Sequence, residues 1–130
     1  MLGKNLRVKN MQKILIDANV ILRYLLNDVE DMAKESEKII KLGARTLPEV
    51  IAEVIYVLKS VYKIEREEIA NAILEILKEI DIEHKKTVIE AVKIFSETNL
   101  DFVDCILVAY KKIENAEIFS FDKKLNNRLK

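Results

Sequence analysis

The sequence predicts an α/β fold, a short parallel sheet of about four strands flanked by helices on both faces. One observation predicts this class, and a second predicts a single soluble domain. Short apolar runs alternate along the chain with longer segments of helical periodicity. The 130 residues are 50% hydrophobic and 34% charged, which fits one folded soluble domain. We therefore predict a single domain over residues 13–130, preceded by a basic extension or arm over residues 1–12.

Each predicted element rests on local signals. The Ile-rich run 13–16 indicates a buried strand that ends at Asp17. Gly43 indicates the end of a second helix, because glycine is common just past a helix end. Pro48 indicates the start of a strongly apolar helix. The predicted order is strand 13–16, helix 18–26, helix 29–42, strand 45–47, helix 48–62, helix 65–80, strand 82–84, helix 87–97, helix 101–114, strand 117–121 and helix 122–129.

Composition excludes several classes of function. The 22 basic and 22 acidic residues balance, so nucleic acid would have to bind through a local patch. The single Cys105 and single His84 exclude an intrachain disulfide and a zinc site built on cysteine or several histidines. Two glycines are too few for Rossmann or P-loop phosphate binding. No transmembrane run or signal peptide is present, so we expect a cytoplasmic protein without membrane contact.

The acidic residues fall into two groups. Most lie in mixed stretches such as EREE and EHKK, which are predicted to be solvated faces. Thr46 and Glu49 fit a capping box at the start of the apolar helix. Asp101 fits the N-cap of the next-to-last helix. Four acids remain in apolar company, and they are Asp17, Glu53, Asp104 and Asp122.

Three of these four acids also have a purely structural interpretation. Asp122 can cap the terminal helix, and Asp104 can be a first-turn acid favoured by the helix dipole. Glu53 falls on a possible solvent stripe with residues 49, 56, 60 and 63. Asp17 has no such account, because burying a carboxylate at a strand end costs free energy unless a cation or several donors replace its water.

Four converging carboxylates would need a cation to stay ionised together at neutral pH. Oxygen ligands without Cys or His select Mg²⁺ or Mn²⁺. Such ions activate water and neutralise charge on an attacked phosphate. The pattern therefore predicts a divalent-metal phosphodiesterase, provided that the four acids meet in the fold.

The chain resembles the PIN domain family, and specifically its small stand-alone VapC-type toxins. ILIDANVILRYL is similar to the family's opening strand, catalytic aspartate and following helix. AEVIYVL is similar to its glutamate helix, LDFVDCILVAY to its third acidic motif, and IFSFDKKL to its closing strand and fourth acid. The four motifs occur in the family's order and span nearly the whole chain from Met11 onward.

The resemblance implies a ribonuclease that cuts RNA with a metal-activated water. Asp17 and Asp104 would bind Mg²⁺ or Mn²⁺, and Glu53 and Asp122 would do so directly or through water. Small polar residues that orient the acids would be Asn19 and Ser120, and Asp101 would join the acidic cluster. Basic residues that could contact RNA phosphates are Arg23, Lys123, Lys124 and Arg128.

The resemblance also implies partners. A cognate antitoxin protein would cover the acidic site, and a homodimer would use an apolar helix face for which Tyr56, Val57 and Tyr62 are candidates. Two alternatives stay open: a catalytically weak PIN module that binds RNA or protein, and a PIN nuclease of RNA maturation. A haloacid-dehalogenase-type phosphatase is disfavoured, because it needs an aspartate where Asn19 stands.

Overall fold

The computed structural model describes residues 13–130, and the predicted extension over residues 1–12 lies outside this part. Three strands form one parallel sheet in the order β1-β2-β3. They are β1 (Ile14–Leu15), β2 (Ala44–Thr46) and β3 (Asp81–Ile82). Helices connect successive strands, as parallel pairing requires. The predicted α/β class with a parallel sheet is confirmed.

Seven helices lie in the described part of the chain. Gly43 ends the second of them with φ at +123°, a conformation that side-chain-bearing residues rarely adopt. Pro48 opens the third, at a position where its missing N–H costs nothing. None of the helices within residues 13–130 has the length and apolar character needed to cross a membrane. The helices are α1 (Ala18–Leu26), α2 (Glu30–Gly43), α3 (Pro48–Ser60), α4 (Arg66–Ile76), α5 (Lys85–Glu97), α6 (Phe102–Glu114) and α7 (Lys123–Leu129).

The hydrophobic core is built mainly by helices α1, α3, α4, α5 and α6. Each of these helices places an apolar stripe inward, and burying one such side chain contributes about 1.5–3 kcal/mol. Helices α5 and α6 make the most extensive packing of any pair. The start of α6, which carries Asp104, therefore rests on a well-packed base. Core side chains without measurable exposure include Ile21, Ile51, Val54, Ile69, Ile73, Ala91, Val92 and Cys105.

The first strand differs from its prediction. Residues 117–121, expected to form a fourth strand, pair with no strand of the described chain. Within residues 13–130, strand β1 therefore has only β2 beside it, and Ile14 and Leu15 are 41% and 50% exposed. The prediction of a buried strand was wrong for these two residues, because a buried parallel strand needs neighbours and cover on all sides. Only Ile16 of this run is buried.

The predicted capping box at Thr46 and Glu49 is also wrong. The N-cap of α3 is Leu47, and no side chain hydrogen-bonds there. Thr46 is instead the last residue of β2, 1% exposed, and its hydroxyl donates to the carbonyl of Ile16 at 2.9 Å. Burial in the sheet gives this hydroxyl a partner across the strands, so it does not turn toward the helix.

Replacing Thr46 with valine is expected to destabilise the fold by about 1–3 kcal/mol, because the buried carbonyl of Ile16 loses its hydroxyl donor. Valine keeps the shape, so the loss reports the hydrogen bond. Urea unfolding of Thr46→Val measures it, and Thr46→Ser, which retains the hydroxyl, serves as the control. Equal unfolding midpoints for valine and wild type would show that this bond contributes nothing.

Candidate active site

Asp104 occupies the first turn of α6 and is half-buried. It lines a cavity of about 350 Å³ between α3 and α6, where Ile55, Phe95 and Phe102 supply apolar walls. Burial raises the pKa of the Asp104 carboxyl, and the negative charges of Asp122 and Asp101 raise it further. The positive charge of Lys124 lowers the same pKa. The structure thus brings two other predicted acids, Asp122 and Asp101, and one predicted cation, Lys124, within electrostatic reach of Asp104.

Asp122 caps α7, as its structural interpretation predicted. Its Oδ1 accepts from the backbone N–H of Leu125 at 2.9 Å. The hydroxyl of Ser120 accepts from the N–H of Asp122 at 3.0 Å, and the side chain of Asn126 donates to the carbonyl of Ser120 at 2.8 Å. Within residues 13–130, Oδ2 of Asp122 accepts no hydrogen bond. The cap therefore orients the carboxylate and leaves one oxygen free.

Asp17 is exposed, and the prediction that its carboxylate is buried was wrong. It is the N-cap of α1, where Oδ1 accepts from the N–H of Val20 at 3.1 Å. The edge position of β1 explains the exposure, because the chain leaves the sheet directly into a helix. The Asp17 carboxylate is therefore stabilised by its exposure to solvent and by the helix-cap hydrogen bond. Asn19, predicted to orient this acid, is exposed in the first turn of the same helix.

Glu53 and Glu49 are both exposed on α3, one turn apart. Because no capping box forms, Glu49 has no capping role that would distinguish it from Glu53. The choice of Glu53 therefore rests on the AEVIYVL resemblance. Asp101 stands at the N-cap position of α6, but its side chain makes no capping hydrogen bond. Its predicted capping role was wrong, which leaves its carboxylate available to the acidic cluster.

The acidic side chains do not by themselves form a complete metal cage in the described part of the chain. No three His, Cys, Asp or Glu side chains in the described range 13–130 lie together in a way that could hold an ion. A closed four-carboxylate cage is therefore not formed by these side chains as they stand. Mg²⁺ in proteins commonly keeps several waters and binds through one or two carboxylates plus substrate phosphates. The oxygen-only pair Asp104 and Asp122 fits that more open mode.

The four predicted RNA-binding cations differ in their hydrogen-bond partners and in their exposure. Arg23 pairs through one guanidinium nitrogen with both oxygens of Asp28, at 2.9 and 3.0 Å. Lys124 donates to the carbonyl of Asn99 at 3.0 Å. Lys123 and Arg128 are exposed on α7, and Lys123 directly follows Asp122. Their exposure leaves both side chains accessible to a phosphate.

Arg66 was missed by the sequence analysis, which placed the EREE stretch on a solvated face. It is half-buried, and its guanidinium carbon lies 3.7 Å from the centre of the Phe95 ring. It also donates to two backbone carbonyls of the segment before α6. No local pattern distinguishes Arg66 from its solvated neighbours, because its partners lie about thirty positions away along the chain.

Comparison with known proteins agrees with this architecture. The model of the PIN domain family matches residues 14–128. The chain therefore belongs to the PIN domain family. Within that family it is similar to the VapC ribonuclease of Aquifex aeolicus (strain VF5), with 32% identity over 118 residues, covering 85% of this chain and 87% of that protein. No solved structure gives a significant match. The predicted resemblance to VapC-type PIN proteins is confirmed.

Proposed function

We propose that this protein is a divalent-metal-dependent endoribonuclease, and the toxin of a toxin–antitoxin pair. One observation carries the proposal. Asp104 lies half-buried in a cavity, with its pKa raised by burial and by two neighbouring carboxylates. Perturbed acids in clefts are typical of functional sites. The similarity to a VapC ribonuclease gives the reaction class.

In this proposal Asp104 and Asp122 supply oxygens to Mg²⁺ or Mn²⁺, while Glu53 and Asp17 act directly or through water. When bound, the ion activates a water and neutralises charge on the phosphate. The helix caps at Asp17 and Asp122 hold each carboxylate by Oδ1. Ser120 fixes the backbone of Asp122 through its hydroxyl.

The remaining residues of the proposed site hold the substrate and shape the charge. The cavity gives RNA access to Asp104 and Asp101, which line it. Exposed Lys123 and Arg128 contact phosphates of the bound strand. Asp101 adds negative charge beside Asp104. Arg23, held by Asp28, contributes to the substrate surface only if RNA displaces that pairing.

The test is cleavage of a structured RNA mixture by purified protein with Mg²⁺, with Mn²⁺ and with EDTA. We expect cleavage with either metal and none with EDTA, because the acids alone cannot ionise a water at neutral pH. Asp122→Asn is included as an internal control for contaminating nuclease, since a contaminant is indifferent to that change. Cleavage that survives both EDTA and this variant would contradict the proposal.

A second candidate is a PIN module that binds RNA or a protein without cutting it. The absence of a three-acid group within residues 13–130 favours it. Titration with Mn²⁺ in the presence of RNA separates the two, because a nuclease binds the ion and turns over, whereas a binding module retains intact RNA. Retained RNA with no metal binding would favour the module.

We further propose an antitoxin partner that covers the acids. Tyr56 and Val103, exposed by 66% and 60%, line the Asp104 cavity and would lie under that partner. We also propose a homodimer formed at the end of α3, where Val61 is 64% exposed and Tyr62 is also exposed, whereas Val57 is half-buried. Such patches mark protein interfaces. Val61→Glu is expected to convert a dimer into a monomer in light scattering; an unchanged mass would place any interface elsewhere.

A further inference from the structure

We propose that Arg66 and Lys124 are positioning residues that hold the α5–α6 loop, residues 98–101, and thereby set the placement of Asp101 and Asp104. This inference rests on the proposed function, because it assigns both residues to the acidic cluster. Neither residue touches the reacting groups in this role. Each acts through the backbone that leads into α6.

Arg66 is the first residue of α4 and contacts both the last turn of α5 and the loop that follows it. Its Nε donates to the carbonyl of Phe95 at 2.9 Å, and its Nη2 donates to the carbonyl of Leu100. The guanidinium also stacks over the Phe95 ring. A planar fork with several fixed donors suits this double contact, and a lysine offers only one point of charge.

Lys124 holds the same loop from another element. It is the second residue of α7, and its Nζ donates to the carbonyl of Asn99 at 3.0 Å. Thr98 completes the set, because its hydroxyl donates to the carbonyl of Ile94 at 2.9 Å and accepts from the N–H of Leu100 at 3.3 Å. Positions 98, 99 and 100 are thus each tied by a side chain.

The loop continues directly into the acidic end of α6. The carbonyl of Asp101 accepts the N–H of Cys105 at 3.0 Å, which starts the helix, and Asp104 lies in that first turn. Leu100 is 2% exposed and anchors the loop in the core. A shift of the loop therefore moves Asp101 and Asp104 together.

The charges at this point explain why the loop needs holding. Asp122, at the start of α7, and Asp101 both repel the carboxylate of Asp104. Lys124 joins α7 to the loop and adds a positive charge beside Asp104. Arg66, on α4, holds the neighbouring carbonyl of Leu100. Together the two side chains hold the loop that leads into Asp101 and Asp104 against this repulsion.

The alternative is that Arg66 and Lys124 only stabilise the fold by satisfying free carbonyls at a helix end. Lys85 provides a matched control, because its Nζ donates to the part-buried carbonyl of Ile80 at 3.1 Å. That bond is of the same kind and belongs to the turn before β3. Lys123, next to Lys124 but without its loop contact, controls for charge on α7.

The experiment compares Arg66→Gln, Arg66→Lys and Lys124→Met with Lys85→Met and Lys123→Met in the full chain. Hydrogen exchange of a peptide covering residues 98–105 reports the loop. Mn²⁺ titration reports the acids, and kcat and KM for RNA cleavage report the site. Thermal unfolding shows which variants remain folded at the assay temperature.

For Arg66→Gln and Lys124→Met we expect exchange in residues 98–105 to rise about tenfold, the scale of a lost hydrogen bond to a charged donor. Mn²⁺ affinity and kcat should fall while KM changes little, and Arg66→Lys should recover part of the loss. Lys85→Met should leave exchange, Mn²⁺ affinity and kcat unchanged. Lys123→Met should leave exchange and Mn²⁺ affinity unchanged and should raise KM, because Lys123 contacts RNA phosphates in the proposed function. If Lys85→Met lowers kcat as much at equal loss of stability, or if exchange in this peptide stays at the wild-type rate, the positioning role is wrong.

Failure of the proposed nuclease function is recognised separately. Wild-type protein that cuts no RNA would remove the kinetic readout, but loop exchange and Mn²⁺ affinity still test the positioning role. Faster exchange with unchanged Mn²⁺ affinity would overturn it and leave only a fold-stabilising contact.

Discussion

Asp104→Asn is expected to lower metal-dependent RNA cleavage by about 100-fold or more, the loss that follows removal of a preorganised charge from a reaction site. The same variant is expected to be more stable than wild type at neutral pH. Burial and the charges of Asp122 and Asp101 raise the pKa of this carboxyl in the folded state. Ionisation therefore favours the unfolded chain, and stability falls as pH rises from the unfolded pKa through the folded one. Asparagine removes that charge.

Lower activity together with higher stability would distinguish a site residue from an acid that only stabilises a helix start. Asp31 gives the matched control, because it is an exposed acid in the first turn of α2. Asp31→Asn should lose a little stability, about 0.3–1 kcal/mol from the helix dipole, and no activity. Thermal unfolding at neutral and acidic pH measures the effect, and the gain of Asp104→Asn should vanish below the unfolded pKa. If Asp104→Asn behaves like Asp31→Asn in both assays, Asp104 is a helix-start acid and not a site residue.

Glu53→Gln is expected to lower cleavage by a similar factor of about 100, because an amide of the same shape no longer offers a negative charge to a metal ion or its water. Glu49→Gln, one turn earlier on α3, should leave cleavage unchanged. Both glutamates are exposed, so neither change should alter folding. Single-turnover cleavage at saturating metal measures the pair.

The reverse result, with cleavage lost in Glu49→Gln and kept in Glu53→Gln, would place the active site in a different cleft. Glu49 lines a second cleft of about 370 Å³ with His84 and Tyr110, on the other side of Ala52 from the Asp104 cavity. Loss of cleavage in Glu49→Gln alone would locate the chemistry in that second cleft. Equal loss in both variants would indicate a general effect of charge on α3, which raising the salt concentration should weaken.

Local signals predicted the regular elements well. The ends of α2 at Gly43 and the start of α3 at Pro48 follow from the backbone preferences of single residues, which depend little on the rest of the fold. The apolar spacing likewise predicted which segments form helices. The order of the four acidic motifs was enough to identify the family, and the match over residues 14–128 confirmed it.

The partners of polar side chains were much harder to predict. Thr46 and Asp101 both carried local capping signals, yet Thr46 bonds across the sheet and the Asp101 side chain caps nothing. Asp17 was expected to be buried because its sequence neighbours are apolar, but the edge position of β1 exposes it. In each case a neighbour from another element, or its absence, decided the outcome.

The sequence by itself therefore determined the α/β class, the succession of the helices and the first three strands, and the family. Only the tertiary structure decided that Asp104, Asp122 and Asp101 share one electrostatic environment, and that Arg66 and Lys124 hold the loop between α5 and α6. The physical reason is the separation along the chain between the interacting residues. Helix ends and apolar periodicity are set by residues a few positions apart. The contacts of Arg66 with Leu100 and of Lys124 with Asn99 arise only when helices distant along the chain pack together.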